Sequence, residues 1–397
     1  MNRVKGILLI CVLLTFMIMA GCWDRREIED IGFVLGLGID KLEKVKAEEE
    51  KEQGDGMQKI RHISIVNHFV IPQMKSGING GGNKKNYKNV ISEGDNVFQI
   101  LRELSTTVEL PPNYEHLKVI IISEDVASSM DLRNLVNFFL RNQETRRTIK
   151  LFIAQGRARD VFESEPILVN DLAIKMLQIT DNAKRNLRIA PELDLGEMSE
   201  KLTAETSFIV QRVITSQKKS RISGAAVIQG KSHKMVGWLS EAEMEGLNWI
   251  NGKGKMGVVE GKDDNKDEIV IYEVDQIKRK IKPYVEGDKI SFVVEVETEG
   301  ALREDWAVSE DAFDHSYIQR MEQTMEEEIN RSVDKALAKI QKELKVDVAG
   351  FGKQLSFQYP EVWEKVKDNW ESRFSAVPVE VRVNAQIREF GTKGRKN

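Results

Sequence analysis

The chain has 397 residues, of which 41% are hydrophobic and 31% charged, and a formal net charge of −4. At ~150 residues per domain this is roughly two or three globular units. Only one stretch, at the N-terminus, is long and apolar enough to matter to a membrane, which excludes a polytopic channel or transporter; 59 basic against 63 acidic residues leave no excess for binding nucleic-acid phosphates.

In chain order the first feature is an address. Arg3 and Lys5 form a short positive region, and Ile7 to Ala20 carry no charge. That run has the length of a signal peptide and is shorter than the ~20 residues of a spanning helix. It ends Met19-Ala20-Gly21-Cys22, with Met19 in the place usually held by Leu. Small residues before a cysteine resemble a bacterial lipobox, in which the thiol takes a diacylglyceryl group and cleavage frees its α-amino group for acylation. Residues 1–21 are then a signal peptide that is removed, and 22–29 are the lipid anchor and tether. Of the two cysteines, Cys11 leaves and Cys22 becomes a thioether, so no thiol remains for a disulfide or a zinc cluster. The mature chain, without Arg3 and Lys5, carries about −6. Two acyl chains give stable anchoring where one is marginal.

Beyond the anchor, Ile31, Phe33, Leu35, Leu37 and Ile39 alternate with Gly32, Val34, Gly36 and Gly38, which predicts a strand with something packed closely over its glycine face. Residues 41–61 hold six acidic and six basic side chains and read as a solvated loop inside a hairpin. The next strand runs from about Ile60 to Ile71, and Ser76 to Asn86 is a second loop. Val97, Leu101, Leu104 and Val108 fall at helical spacing, with Asp95 or Asn96 as the cap. The unbroken apolar run Leu117 to Ser123 fits a strand buried on both faces. A helix capped by Asp131, a strand Lys150 to Ala154 and a helix Val169 to Thr180 complete an α/β unit over 30–182.

After a connector containing Pro191, residues 207–215, 222–229 and 234–239 read as strands, and Ser240 with Glu243 forms a capping box for a helix through Ile250. This middle α+β unit spans 183–263. The third, 264–397, opens with a strand Ile269 to Ile281, whose apolar parity slips and so predicts a bulge near Asp275 and Gln276. A second strand carries Ile290, Phe292, Val294 and Val296. A long helix carries Met321, Met325, Ile329, Val333, Leu337, Ile340 and Leu344 and suits a domain core better than a coiled coil. Pro360 starts a shorter helix, and the last strand turns Val379, Val381, Val383, Ala385 and Ile387 inward. The expected fold class is therefore mixed α/β (α+β), with three units that each pack a sheet against helices.

No catalytic or metal constellation stands out. The five histidines, His62, His68, His116, His233 and His315, are scattered and fit surface or satisfied core positions. There is no GxSxG elbow. Gly246 to Lys253 has one residue too many for a phosphate loop, and Gly36-Leu37-Gly38 lacks the third glycine of a dinucleotide fingerprint. Arg141, Arg146 and Arg147 around Glu144 are either an anion site or, the reading favoured here, a solvated helix end. No cofactor is expected.

Five stretches, in order, resemble the C-subunit lipoproteins of spore germinant receptors, the Ger(x)C family. They are Gly21-Cys22-Trp23-Asp24 with Arg26 to Asp30, leading into Gly38-Ile39-Asp40; Glu93-Gly94-Asp95 with His116 to Asp125; Leu140 to Arg147; Gly224 to Val227 with Val236 to Glu241; and Trp363 and Trp370 before the ending Ile387 to Gly391. The first is the most specific. The resemblance implies a three-domain mixed α/β protein on the outer face of the cell membrane or inner spore membrane. It implies membrane partners, an A and a B subunit, and a non-catalytic role in nutrient-triggered germination. The alternative is a solute-binding lipoprotein of a transport system, whose two similar lobes the β-rich C-terminal unit does not suit.

Overall fold

The computed structural model describes Gly6 and residues 31–42, 63–71, 86–142, 144–182, 185–252, 256–263, 268–305 and 314–389. Met19, Ala20, Gly21 and Cys22, the tether, and residues 43–61 and 76–85 of the two predicted loops lie outside these described residues.

Nine strands form one sheet. β1 (Gly32–Lys41) is the third strand from one edge. β1 is flanked on one side by antiparallel β2 (Ile63–Val70) and then β3 (Tyr87–Gly94). A two-residue β4 (Pro112–Asn113) pairs with its first residues. On the other side β5 (Val119–Ser123), β6 (Lys150–Gln155) and β7 (Phe208–Ser216) run parallel to it. β8 (Lys219–Gln229) and β9 (Lys234–Leu239) close the sheet antiparallel. Hydrogen bonds between β6 and β7 cross residue 182, so the segments 30–182 and 183–263 share this sheet.

Helices cover both faces, and β5 shows why its sequence is unbrokenly apolar. Ile120 and Ile122 enter one core. That core is shared with α1 (Val97–Glu103), α3 (Leu132–Arg141) and α6 (Leu195–Thr203). Val119 and Ile121 enter the other, beneath α4 (Ala158–Phe162) and α5 (Leu172–Asn182). The helix linking β5 to α3 is α2 (Glu124–Ser129). Caps follow the sequence: Asn96 accepts from Gln99 N, and Asp131 from Arg133 N. The glycine face of β1 is closely covered, because a Cβ on Gly36 would lie 2.5 Å from the Phe162 ring.

Two expectations are corrected. Phe33, Leu35, Leu37 and Ile39 do not share one face of β1. A register shift between Val34 and Gly36 puts Val34 with Leu37 and Ile39, while Leu35 packs on the opposite core. The stretch between the connector around Pro191 and the strand at 207 also holds a helix where none was expected. Asp194 and Glu197 form a capping box that starts α6.

The second sheet has four strands in sequence order. They are β10 (Gly257–Asp263), β11 (Glu268–Glu286), β12 (Lys289–Asp305) and β13 (Val379–Glu389), the last parallel to β12. The predicted bulge is present as a register shift between Val274 and Gln276. α7 (Glu241–Asn251) and α8 (His315–Leu337) cover one face. Met321, Met325, Ile329 and Val333 of α8 are buried, as its spacing predicts for a core helix. The two helices touch at the backbone, since a Cβ on Gly246 would lie 1.9 Å from Ser332 O. Gly246 is thus a close-packing glycine inside a helix and no part of a phosphate loop. Ala225, Val227 and Leu239 of the larger sheet join the same core, so the two sheets are packed together.

At the outer edge of β13, Glu326 Oε1 accepts from Ala385 N at 3.0 Å and Glu322 Oε1 from Ile387 N at 2.9 Å. These carboxylates satisfy backbone donors that a neighbouring strand would otherwise take.

Candidate functional site: the two ends of the larger sheet

The parallel strands give the larger sheet two unlike ends. At the first, β1 begins, and Gly32 N donates to Pro111 O at 3.0 Å. This is the end nearest Cys22 along the chain. Arg141, Glu144, Arg146 and Arg147 are here, all exposed.

At the opposite end, residues from separate matched stretches meet. Asp40 is buried at the end of β1 and accepts from Ala158 N at 2.6 Å and Arg159 N at 2.9 Å, which caps α4. Burial pushes its carboxyl above the usual range, against the pull of those two N–H groups. Glu124 accepts from Trp238 Nε1 at 2.8 Å and Gly156 N at 3.4 Å. The Arg212 guanidinium lies over the Trp238 ring at 5.5 Å, and its Nε donates to Ser223 O at 2.7 Å. Desolvation lowers the Arg212 pKa, and nearby Arg221 adds to this. Gly224, at φ +67°, has no room for a side chain, because a Cβ would meet Leu239 O at 2.2 Å.

Chemically this cluster is a lock. It ties β5, β7, β8 and β9 together through groups that are already engaged. Ser223 Oγ donates to Glu241 at 2.6 Å, the geometry of a nucleophile and a base. However, that bond and the Arg221 contact hold the Glu241 carboxyl below its usual range, which makes it a poor base.

A second polar group sits inside the sheet. His68 is fully buried, with Nδ1 2.6 Å from Asn89 Oδ1 and Nε2 3.1 Å from Asp171 Oδ2. Asn89 Nδ2 donates to Phe162 O at 2.8 Å, which fixes the amide's orientation. Burial pushes the Asp171 carboxyl up. The bond and charge of His68, with the N–H groups of Ile174 and Ala173, outweigh it and hold the group below the usual range. Tyr87 and Phe162 rings pack on the imidazole at 4.7 and 5.2 Å. His68 is a satisfied core histidine, and His233 is buried with Nδ1 3.5 Å from Asp131. His116 and His315 are exposed, and His62 lies outside the described residues.

In the second sheet, Asp347 accepts from Gly350, Phe351 and Gly352 N, capping α9 (Phe351–Gln358), and from Trp370 Nε1 at 2.8 Å. Trp370 begins α11 (Trp370–Phe374), one short helix after α10 (Pro360–Val366). The matched tryptophans Trp363 and Trp370 are therefore packing residues, with ring centroids 5.6 Å apart. The outer face of this sheet carries a shallow polar cleft between Lys278, Glu297 and Asn384. Among the described residues no group of three or more His, Cys, Asp or Glu is placed to hold a metal, and no helix is long and apolar enough to cross a membrane.

Sequence reading missed Arg212, Asp171 and Asp347. Arg212 did leave a signal, as the single charge in the apolar run Phe208 to Ile214.

Residues 24–215 match the model of the spore germination protein N-terminal domain, and residues 223–391 match that of the spore germination B3/GerAC-like C-terminal domain. The chain belongs to the spore germination B3/GerAC family. It is 36% identical to spore germination protein YndF of Bacillus subtilis (strain 168), over 98% of both chains. It is 31% identical to spore germination protein B3 of the same organism, over 96% of this chain and 97% of that one. The crystal structure of the GerBC protein superposes with a TM-score of 0.59 at 27% identity, covering 91% of this chain and all of that one. Both halves of this B3/GerAC chain are thus accounted for, with the family's two domain models meeting inside the larger sheet, between β7 and β8.

Proposed function

We propose that this chain is the lipid-anchored, non-catalytic subunit of a nutrient germinant receptor. In this reading Cys22 carries the lipid, Met19-Ala20-Gly21 direct its processing, and the folded part works at the outer face of the cell or inner spore membrane beside integral-membrane A and B subunits. The observation that carries the reading is the match of two germination domain models, which together span residues 24–391 apart from 216–222. The lipobox reading of Ala20-Gly21-Cys22 adds the anchor. Of the segments 30–182, 183–263 and 264–397, the first two share a sheet, because β6 and β7 are hydrogen-bonded across their boundary.

Cys22→Ala tests the anchor. The expected outcome is loss of acyl labelling and an unprocessed or mislocalised chain; unchanged membrane fractionation and labelling would refute it. Deleting the gene in a strain without paralogues should abolish the response to at least one nutrient, and a normal response to every nutrient would count against the receptor role.

A further inference from the structure

The arginine turn has no part in the lock at the far end of the sheet, and its position gives it another use. Arg141, Arg146 and Arg147 are exposed, and none of them forms an ion pair among the described residues. The turn is held firmly at the β1-start end of the sheet. Gly196 N donates to Arg147 O at 2.9 Å, and Ile149 N to Arg146 O at 3.4 Å. Lys150 N, just after the turn, donates to Lys118 O at 2.9 Å, which places the turn beside the end of the loop carrying Pro111. Tyr114 bonds Asn67 of β2 at 3.0 Å, and the Phe33 ring of β1 meets His116 at 5.3 Å. The turn, the 110–118 loop and the start of β1 therefore form one surface.

Two large apolar side chains are exposed on that surface, Leu110 at 39% and Ile71 at 48%. Lys88 and Lys118 add cations to the three arginines, against Glu109, Glu115, Glu144 and Asp194, the last beside Arg147 across Gly196. The chain enters here at Gly32, ten residues after Cys22. At ~3.3–3.6 Å per residue the tether reaches at most about 35 Å, so a lipid on Cys22 keeps this end close to the bilayer.

We infer that the β1-start end of the larger sheet is a membrane-apposed face, whose arginine turn binds the phosphates of anionic lipid headgroups while Leu110 and Ile71 rest on the interface. This rests on the proposed anchor and goes further, because an anchor alone leaves the body free to rotate. Guanidinium suits phosphate through its planar pair of donors. Each arginine near an anionic surface is worth a factor of about five in partition, so three give about a hundredfold at low ionic strength, falling steeply with salt. That is small beside two acyl chains and large enough to choose which end faces down.

Hydrogen exchange of the full lipidated chain on vesicles tests it. On vesicles with about 30 mol % phosphatidylglycerol, amides of 108–118 and 144–149 should exchange severalfold more slowly than on pure phosphatidylcholine, while 164–170 and 216–219 at the opposite end stay unchanged. The triple variant Arg141→Gln, Arg146→Gln, Arg147→Gln should lose that slowing and keep its exchange elsewhere. Equal exchange on both vesicle types, slowing at the opposite end, or slowing that appears only once an acidic partner protein is added would overturn the inference. Intact mass separates the two readings: if Cys22 proves unacylated the anchor fails, and sedimentation of the same chain with anionic vesicles still decides the turn. There the triple variant should partition about a hundredfold less; equal partition of the two chains would overturn the inference.

Discussion

In the larger sheet β5 gives neither face to water, with Val119 and Ile121 in one core and Ile120 and Ile122 in the other. In the second sheet β12 divides its side chains. Val294 and Val296 pack under the helices, while Glu297 lies on the open face opposite Lys278 and Asn384. β5 is constrained at every residue, because each of its side chains has a neighbour on its own side. β12 is free of the core at Glu297, and that position can change without disturbing the fold.

The sharpest way to break this contrast is Phe152→Ala in β6. That ring is fully buried, and its loss should cost about 3–5 kcal/mol in the chemical unfolding midpoint. A cost below about 1 kcal/mol would show that this face is not a close-packed core. Next come the two tryptophans whose indoles donate to carboxylates. Trp238→Phe removes the bond to Glu124 and Trp370→Phe the bond to Asp347, each at a cost of about 1–3 kcal/mol. Similar losses would show that both sheets are pinned by charge-assisted bonds at their ends; a neutral Trp238→Phe would remove the lock from the argument.

A smaller effect belongs to acid. Asp171 has a lowered carboxyl pKa in the folded chain, so its contribution is fully present above the unfolded value of about 3.9. It is lost as the pH falls through the folded value. Unfolding midpoints taken from neutral pH down to about pH 2 should fall more steeply in the native chain than in Asp171→Asn, and parallel curves would refute the assignment. The smallest effect expected is Glu297→Gln on the open face, within about ±0.5 kcal/mol; a larger loss would mean that face is covered in the folded chain.

What the sequence disclosed follows the range of the interaction. The buried run at β5, the Ser240–Glu243 capping box and the bulge at Val274–Gln276 are written within a few adjacent residues, and each is present as expected. The parity slip in β1 was hidden because glycines alternate through it, and a glycine shows no preference for either face. β3 was not seen because an edge strand with Ile91 exposed has little apolar pattern to read. The Arg212, Trp238 and Glu124 cluster joins three stretches far apart in the chain, and no local pattern encodes such a meeting. Matched residues such as Asp40 and Trp370 could be noticed in the sequence, but their roles as helix cap and anchored ring needed the folded backbone.

The glutamates of α8 along β13 bear on crowding. A protein tethered to a surface diffuses in two dimensions and meets its own copies far more often than it would in free solution. An open strand edge would then invite copies to join edge to edge into a growing ribbon. With Ala385 and Ile387 N–H already bonded to Glu326 and Glu322, that edge has fewer donors to offer. In the proposed anchored state, many copies can thus share one patch of surface as separate bodies.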